Sequence, residues 1–336
     1  MLVFAAETSC DETSVCLMEN NSIVEHITFS QEIHKIHGGV VPELASRSHL
    51  EKIQSITNDL FNNKKIEPKE IDVFTATCGP GLIGSLLVGS TFSKSLAISF
   101  NKPFIPTNHL EGHILSTSFN NNIKFPNLIL LLTGGHTQVY LMKSESEIEL
   151  LGQSVDDAIG EAFDKTAKLI GLSYPGGSEI EQQALKGNED KFVLPKPLVK
   201  EKNFNFSFSG IKTSINLLTK KNKIDKKFVE DLSASFQKNI TEILIEKLER
   251  GLKRLGSENK DIRSISVVGG VSNNKYIRNK IENFFIKKNI EVYYPIKEMM
   301  GDNAAMIAWA CMKFYKKDRN DLFFKPMPRL GVRSVL

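Results

Sequence analysis

Two short turns of small and polar residues constrain the fold of this chain more than any other feature. Asp11–Ser14 lies between two strand-like segments near the start, and Thr133–Thr137 lies between two more in the second half. After each of these hairpins the sequence alternates between strands, glycine-containing turns and helices. This order favours an α/β protein of two lobes, whose ligand lies at the carboxyl ends of strands and in the turns.

Hydrophobic spacing and turn residues place the individual elements. The segment at residues 187–206 carries lysines and prolines and is predicted to be irregular. The predicted strands are residues 2–7, 15–18, 23–29, 71–77, 104–107, 128–132, 138–142, 264–268 and 291–294. The predicted helices are residues 42–62, 82–100, 157–169, 178–186, 226–251, 275–288 and 303–315.

The length of 336 residues indicates about two domains. No run of 18 apolar residues is present, and the N-terminal apolar run ends at Glu7 with no basic segment before it. Neither a membrane span nor a signal peptide is therefore expected. The four cysteines lie far apart without a CxxC, which excludes a disulfide framework and a cysteine zinc site. We expect a cytoplasmic protein in a reducing compartment, with no membrane partner.

The positive charge is concentrated in one segment. The whole chain has a net charge of only +4, but residues 186–227 contain eleven lysines and four acids, an excess of +7. Two interpretations stay open, which are a solvated lysine-rich face and a surface that follows the phosphates of a nucleic acid. Lys200, Lys202 and Lys212 are the candidate nucleic-acid contacts in this segment.

The segment His109–His113 holds two of the seven histidines, at positions i and i+4. On a helix this spacing puts both imidazoles on one face, where they can bind the same metal ion, although two histidines without a metal are the alternative. A zincin protease also uses two histidines four residues apart, with a glutamate directly after the first. Glu111 instead lies two residues on, about 200° round a helix, and faces away from such a metal. This position argues against the protease mechanism.

Asp302 and Asn303 begin the last predicted helix. Both residue types are good helix N-caps, and the carboxylate of Asp302 is also a candidate third ligand for the metal of the histidine pair. The distance along the sequence neither supports nor excludes this role.

Glycine-rich turns are candidate nucleotide-binding sites, although each of them alone could be only a turn. Backbone N–H groups at such turns and at helix N-termini bind phosphates, and a Gly-Gly pair after a strand lets a flat base come close to the backbone. Neither a Walker A motif nor a GxGxxG motif is present, so a nucleotide site must be of another kind. The turns in question are residues 133–137, 176–177 and 269–274.

The order of these parts resembles the actin, sugar kinase and Hsp70 superfamily, in which each lobe has a β-hairpin phosphate turn and a Gly-Gly turn lies at the adenosine. The resemblance implies a two-lobed actin-like ATPase fold (the ASKHA fold) with a nucleotide cleft between the lobes. Asp11 is then the polar group of the first phosphate turn, and His136 lies in the second.

Ten colinear motifs make the resemblance specific. The chain is similar to the TsaD family, also called Gcp or YgjD, of tRNA N6-adenosine threonylcarbamoyltransferases, and its length suits the bacterial branch. The motifs are ETSCDETS (7–14), GGVVPELASRSH (38–49), CGPGLIGSLLVG (78–89), NHLEGH (108–113), LTGGHTQ (132–138), DDAIGEAFDKTAKLIGLSYPGGS (156–178), FSFSGIKT (206–213), SASFQ (233–237), GGVSNN (269–274) and DNAAMIA (302–308). The domains implied are a first lobe at 1–115, to which 300–336 returns, and a second lobe at 116–300 with a basic insertion at 186–227.

The resemblance also implies the site residues. His109, His113 and Asp302 match the ligands of one divalent metal ion, which is Fe²⁺ or alternatively Zn²⁺. Asp11 and Glu12 match the first phosphate turn, where an acidic residue is thought to assist catalysis. The residues that match the binding site of the adenylate, its adenosine and its ribose are Leu132, Thr133, Gly134, Gly135, His136, Asp164, Gly177 and Asn274.

The implied reaction moves a threonylcarbamoyl group from L-threonylcarbamoyladenylate to N6 of the adenosine beside the anticodon, in tRNAs that read ANN codons, with release of AMP. The implied partners are tRNA, a TsaB-like protein and a TsaE-like protein, with the helix at 42–62 as a candidate TsaB interface. The sequence departs from the family at Thr133, where serine is common, and at Gly301, where threonine often stands.

Two other functions stay open. The first is an ATP-dependent small-molecule kinase of the same superfamily, which predicts Mg²⁺-dependent phosphoryl transfer and no histidine metal site. The second is a non-catalytic nucleotide-binding scaffold subunit, which would not be expected to keep the metal ligands and glycine turns. The intact His109, His113 and Asp302 argue against both.

Overall fold

The computed structural model of the chain describes residues 1–258, 261–317 and 319–332. The strands are β1 (Leu2–Glu7), β2 (Glu12–Glu19), β3 (Ser22–Ser30), β4 (Val73–Gly79), β5 (Phe104–Asn108), β6 (Asn127–Leu132), β7 (Thr137–Ser144), β8 (Glu147–Gln153), β9 (Ser264–Val268) and β10 (Glu291–Tyr293). The α-helices are α1 (Ile33–His37), α2 (Pro42–Lys64), α3 (Ile83–Ser99), α4 (His109–Ser116), α5 (Ile159–Leu169), α6 (Gly176–Ala184), α7 (Ser209–Lys221), α8 (Lys226–Ser257), α9 (Lys275–Ile286) and α10 (Ala304–Phe314).

The chain divides into two compact units. Unit 1 consists of Met1–Asn120 together with Pro295–Leu336, and unit 2 consists of Asn121–Tyr294. The lobe boundaries expected from the sequence, with the insertion at residues 186–227, stay a prediction. Residues 318 and 333–336 of the segment expected to return to the first lobe lie outside the described part of the chain.

Unit 1 is built on a five-stranded sheet with the order β3-β2-β1-β4-β5. β1, β2 and β3 form an antiparallel meander, whereas β4 and β5 continue the sheet parallel to β1. In the register, Ala5 lies opposite Cys16 on one side and Thr75 on the other. The parallel strands end at one edge of the sheet, and the functional candidates of this unit follow those ends.

Unit 2 repeats the same topology with the order β8-β7-β6-β9-β10. β6, β7 and β8 are antiparallel, and β9 and β10 are parallel to β6. Leu130 lies opposite Val139 and Val267. Because both units consist of a hairpin meander followed by parallel strands with helical connections, the prediction of an α/β protein is confirmed.

Each unit has its own apolar core, in which aromatic pairs are prominent. In unit 1 the ring of Phe4 lies 5.6 Å from that of Phe74, in a cluster that also contains residues of α2 and α3. In unit 2 the ring of Phe163 lies 5.0 Å from that of Phe236, which joins α5 to α8. Such tilted and edge-to-face pairs add about 1 kcal/mol each to the free energy gained from burial alone.

Every strand and helix expected from hydrophobic spacing is present, with ends that shift by a few residues. The expected elements did not include α1, α4, α7 or β8, although the spacing of the histidine pair already assumed a helix at His109. β8 is an edge strand whose residues are mostly exposed, so it lacks the apolar alternation that indicates a strand. α7 has Ile211 and Ile215 buried at helical spacing, but lysines and serines surround them. Among the described residues, no helix is long and apolar enough to cross a membrane.

Candidate metal centre and nucleotide-binding turns

The histidine pair lies on α4, which starts directly after β5. Asn108 caps this helix, because its Oδ1 accepts hydrogen bonds from the backbone N–H groups of Leu110 at 2.8 Å and Glu111 at 3.3 Å. His109 and His113 are thereby on one helix face, with ring centroids 4.8 Å apart and ring planes at 86°. Both side chains are buried.

Asp302 reaches this histidine pair from the segment before α10. Its Oδ1 lies 3.1 Å from His113 Nε2 and 3.5 Å from His109 Nε2. The neighbouring Asn303 is the helix cap, with Oδ1 accepting from Met306 N–H at 2.9 Å. Asn303 is therefore the N-cap of α10, and Asp302 is the candidate metal ligand that faces the histidines.

Glu7 contacts the other ring nitrogen of His109, Nδ1. It ends β1, is fully buried, and its Oε2 lies 3.1 Å from His109 Nδ1. Ser9 donates its backbone N–H to Glu7 Oε1 at 2.5 Å, and Thr77 donates its hydroxyl to Glu7 Oε2. A carboxylate on the far nitrogen of a metal-binding histidine fixes the ring and raises its basicity. The sequence analysis did not assign Glu7, although an acid at the end of an apolar strand is a usable signal.

The charges of this cluster stabilise one another. Burial raises the pKa of Asp302, but the positive charge and hydrogen bond of His109 outweigh it and hold that pKa well below its ordinary value. The pKa of Glu7 is lowered too, because His109 outweighs the effect of burial. Burial lowers the pKa of His109, but the charges of Asp302 and Glu7 raise it overall. The two carboxylates thus stay ionised and compensate positive charge in a buried site.

The donor set fits a divalent transition metal. Two imidazole nitrogens and one carboxylate oxygen, from His109, His113 and Asp302, lie within 4.8 Å of one another. Two histidines and one carboxylate are a known ligand set for Fe²⁺ and also suit Zn²⁺. Among the described residues the buried His113 Nδ1 has no hydrogen-bond partner, whereas Nε2 makes the contact with Asp302. Glu111 is not part of this group among the described residues.

The acidic turn of unit 1 leads into β2. Glu12 is half-buried at the start of that strand, and burial, together with the charges of Asp11 and Asp302, raises its pKa well above the ordinary value. Asp11 accepts the backbone N–H of Gln31 through its carbonyl oxygen at 3.2 Å. The influence of Asp302 on Glu12 indicates that the acidic turn and the candidate metal ligands share one electrostatic environment.

A chain of buried polar side chains supports this turn. His49 Nε2 donates to the carbonyl oxygen of Cys10 at 3.0 Å, so its Nδ1 accepts from the Thr13 hydroxyl at 2.8 Å. Gln31 connects His49 to His34, whose Nε2 lies 2.9 Å from Gln31 Oε1. Burial lowers the pKa of His49, which keeps the ring neutral. Both ends of the acidic turn are thus fixed from α2, and His49 is an internal residue rather than a surface one.

In unit 2 the predicted adenylate turn follows β6. Leu132 ends the strand, and Thr133 closes the turn because its N–H donates to the carbonyl oxygen of His136 and its hydroxyl accepts the His136 N–H, both at 2.9 Å. A Cβ added to Gly134 or Gly135 would meet no protein atom within 4 Å. Packing therefore does not require glycine here, which leaves open space over the backbone for a ligand.

Two other glycines bring neighbouring segments against this turn. A Cβ on Gly160 in α5 would lie 2.6 Å from Gly134 Cα, and one on Gly269 after β9 would overlap the carbonyl oxygen of Leu132. Gly269 also has φ of +91°, a left-handed conformation that disfavours other residues. The GGVSNN segment and the start of α5 thus meet at the turn of Thr133.

Asp164 and Asn274, which are predicted to bind the adenosine and ribose, also make hydrogen bonds within the protein. Asp164 Oδ1 accepts from Gly176 N–H at 2.7 Å, which joins α5 to the start of α6, and a Cβ on Gly177 would meet open space. Asn274 caps α9 by accepting from Ile277 N–H at 3.0 Å, and its amide donates to Gln237 at 2.8 Å. The role of these residues toward an adenylate stays a prediction.

Comparison with known proteins places these motifs in one family. The family model described as "TsaD: tRNA N6-adenosine threonylcarbamoyltransferase" matches residues 22–309. A tRNA N6-adenosine threonylcarbamoyltransferase of Thermosipho africanus is 43% identical over 335 residues, covering 99% of this chain and 100% of the relative. One of Pelagibacter ubique is 43% identical, covering 98% of this chain and 94% of the relative.

Solved structures show the same fold at low identity. HypF of T. kodakarensis is similar with a TM-score of 0.60 and 14% identity, over 93% of this chain and 47% of that protein. The (R)-2-hydroxyglutaryl-CoA dehydratase component A of Acidaminococcus fermentans is similar with a TM-score of 0.51 and 11% identity, over 92% and 95%. These likenesses confirm the prediction of an actin-like fold. With the matched model and the near full-length relatives, they lead to one conclusion: the chain belongs to the TsaD family of tRNA N6-adenosine threonylcarbamoyltransferases.

Proposed function

We propose that the chain transfers the threonylcarbamoyl group of L-threonylcarbamoyladenylate to N6 of the adenosine beside the anticodon in tRNAs that read ANN codons. The proposal depends above all on the His109, His113 and Asp302 cluster, which unites two distant family motifs around one set of ligand atoms. In the transfer, a bond forms between adenosine N6 and the carbamoyl carbon. The bond from that carbon to the phosphate oxygen breaks, AMP leaves, and N6 loses one proton.

The turns of unit 2 are proposed to hold the adenylate. The open backbone at Gly134 and Gly135 allows a ligand to come close to the turn. Asp164, Gly177 and Asn274 are the proposed contacts of the adenosine and ribose. The hydroxyl of Thr133 is engaged in closing the turn, so the change from serine retains the same contact.

His109, His113 and Asp302 would hold the divalent metal, proposed to be Fe²⁺ with Zn²⁺ as the alternative. When bound, such an ion supplies a Lewis acid for an oxygen of the substrate. Glu7 fixes the His109 ring through Nδ1, so that Nε2 points to Asp302.

Asp11 or Glu12 is proposed as the base that removes the proton from N6. The exocyclic amine is a weak nucleophile, since its lone pair is delocalised into the ring, and both positioning and proton removal assist it. The raised pKa of Glu12 makes its ionised form a stronger base than an ordinary glutamate. The chain from His34 through Gln31 to His49 keeps the acidic turn in place.

A protein partner is proposed to cover the exposed apolar side of α2 and α3. Leu50 on α2 is 69% exposed, and Ile83 and Leu87 on the adjoining α3 are 47% and 48% exposed. A TsaB-like subunit is the proposed occupant, with a TsaE-like ATPase as a further component and the cytoplasm as the location. The kinase and scaffold alternatives are not favoured, because neither accounts for a His-His-Asp cluster whose two histidines are buried.

The activity is tested with preformed threonylcarbamoyladenylate, unmodified tRNA and the TsaB-like and TsaE-like proteins, followed by mass spectrometry of the digested nucleosides. We expect threonylcarbamoyladenosine with the native chain and its loss with Asp302→Asn. Glu298→Gln is the matched control, since Glu298 is an exposed carboxylate four residues earlier. Equal product with Asp302→Asn, or ADP formed from ATP and a small molecule without tRNA, would contradict the proposal.

A further inference from the structure

A surface cavity of about 690 Å³ lies along the C-terminal half of α8 in unit 2. No motif of the sequence analysis pointed to this half of the helix. Its walls carry four cationic side chains and two carboxylates. The charged lining residues are Lys202, Arg250, Lys253, Arg254, Glu246 and Glu249.

One face of α8 lines the cavity. Glu246, Arg250 and Lys253 stand at positions i, i+4 and i+7, which lie on one face of a helix. Lys202 comes from the irregular segment before α7 and also lines the cavity. A face of the helix and a loop thus converge on the same space.

Ion pairs neutralise most of the other charges. Lys196, which does not line the cavity, pairs with Glu246 at 2.6 Å. Lys253 pairs with Glu249 at 3.2 Å, and Arg254 pairs with Glu258 at 2.8 Å. Within the described part of the chain, Lys202 and Arg250 take part in no salt bridge. Lys202 and Arg250 are therefore the two cationic side chains of the cavity lining that ion pairs leave available to a ligand.

A buried lysine fixes the loop that supplies Lys202. Lys247 is 0% exposed, and its Nζ donates to the carbonyl oxygens of Leu198 at 3.2 Å and Glu201 at 3.3 Å and to Asn203 Oδ1 at 2.9 Å. Burial and the nearby Arg250 lower the pKa of Lys247, in part offset by Glu201. A buried ammonium is costly unless all its donors are used, and here three acceptors from one loop satisfy it.

A second contact fixes the same loop. A Cβ on Gly251 would overlap the ring of Phe204, so the ring lies directly on the backbone of α8. Phe204 is buried in the core of unit 2. Since Lys247 and Gly251 secure the loop on both sides of Arg250 along the helix, packing fixes the backbone positions from which Lys202 and Arg250 extend.

We propose that this α8 cavity binds a backbone phosphate of the RNA substrate, with Lys202 and Arg250 as the binding side chains and Lys247 as the positioning residue for Lys202. This rests on the proposed function, in which tRNA is the acceptor. Arg250 can donate two parallel hydrogen bonds to a phosphate, and Lys202 adds a compact charge. RNA is favoured over a free phosphate, because single phosphate contacts are weak and gain strength when many act along one strand.

The test measures binding of unmodified tRNA to the full chain at several salt concentrations. The variant Lys202→Ala/Arg250→Ala removes both exposed cations, and the control Lys287→Ala/Lys288→Ala, directly after α9, removes two exposed charges outside the basic segment. We expect about tenfold weaker binding for the cavity variant and a slope of log K against log salt that is smaller by about 1 to 2. The Lys287→Ala/Lys288→Ala control should keep both values near those of the native chain.

Three results would overturn the proposal. They are unchanged tRNA affinity and salt slope in the cavity variant, an equal loss in the Lys287→Ala/Lys288→Ala control, and binding of millimolar inorganic phosphate in the cavity that leaves tRNA binding unchanged. Lys247→Met should weaken tRNA binding while Lys202→Ala in that background adds little, because the loop is already displaced. Absence of threonylcarbamoyladenosine with the native chain would contradict the proposed function instead, and the binding experiment is independent of it.

Discussion

His113 Nε2 lies 3.1 Å from Asp302 Oδ1, although 189 residues separate them in the sequence. The contact joins the second half of α4 to the segment before α10, and both belong to unit 1. His109 shares the same carboxylate oxygen at 3.5 Å, so one atom of Asp302 serves two imidazoles. A metal ion that replaces these hydrogen bonds finds its ligand atoms already gathered, which reduces the conformational entropy lost on binding.

Glu7→Gln should weaken metal binding without removing a ligand. The amide keeps the size of the side chain but loses the charge that orients His109 and raises its basicity, and changes of this kind cost about 10- to 100-fold in metal affinity. The measurement is metal content after dialysis against a chelator series, with Asp302→Asn as the more severe case. Glu298→Gln should retain native metal content. A Glu7→Gln variant with native affinity would show that the contact at Nδ1 is only structural.

The rate of threonylcarbamoyl transfer should depend on pH through the ionisation of the Glu12 carboxyl. Its carboxyl is protonated below its raised pKa and becomes a base above it, so activity with preformed adenylate should rise as the pH increases through that pKa. Asp11→Asn removes a negative charge that raises this pKa, so the rising limb should move to lower pH. Glu12→Gln should abolish this rise of activity with pH. If kcat/KM against pH is unchanged in Glu12→Gln, Glu12 is not the base.

Asp156→Asn should reduce stability at neutral pH but not in acid. The carboxylate accepts from the Ser207 hydroxyl at 2.5 Å, Phe208 N–H at 2.8 Å and the Ser209 hydroxyl at 2.7 Å, which fixes the start of α7. Burial raises its pKa, but these hydrogen bonds lower it overall.

A folded-state pKa below the unfolded one stabilises the protein above the unfolded pKa, and this contribution disappears as the pH falls through the folded pKa. Urea unfolding at pH 7 should show a loss of about 1–2 kcal/mol in the variant, since Asp156 is partly screened by solvent. Below pH 3.8, the ordinary value, the difference should shrink. A difference that is equal at both pH values would contradict the role of the charge.

Gly251→Ala and Gly256→Ala should change stability in opposite directions, although both lie in α8. The added methyl at Gly251 overlaps the buried Phe204 ring, and overpacking of this kind costs about 1–3 kcal/mol. At Gly256 the methyl meets no atom within 4 Å, and alanine favours a helix over glycine by up to about 1 kcal/mol, less near its end. Thermal unfolding of the two variants measures the contrast. Equal midpoints would show that Phe204 moves freely.

Local patterns determined much of what the sequence predicted correctly. The strands and the long helices follow from apolar spacing among neighbouring residues, and the pairing of His109 with His113 follows from the 3.6-residue turn of one helix. The glycine turns at Thr133 and Gly269 could be predicted for the same reason, because a few adjacent residues define each turn. The family motifs added the expected roles of Asp302 and Asp164, which spacing alone left open.

Only the tertiary structure decided which distant side chains meet. Glu7 contacts His109 because β1 and β5 end at the same edge of one sheet with β4 between them, and no local pattern contains that neighbourhood. In the sequence, Lys247 cannot be distinguished from an exposed lysine of an amphipathic helix. It is buried because the loop that contains Leu198 packs over it. Adjacent residues encode a helix or a turn, whereas contacts such as these depend on strand order and packing, which the whole chain determines together.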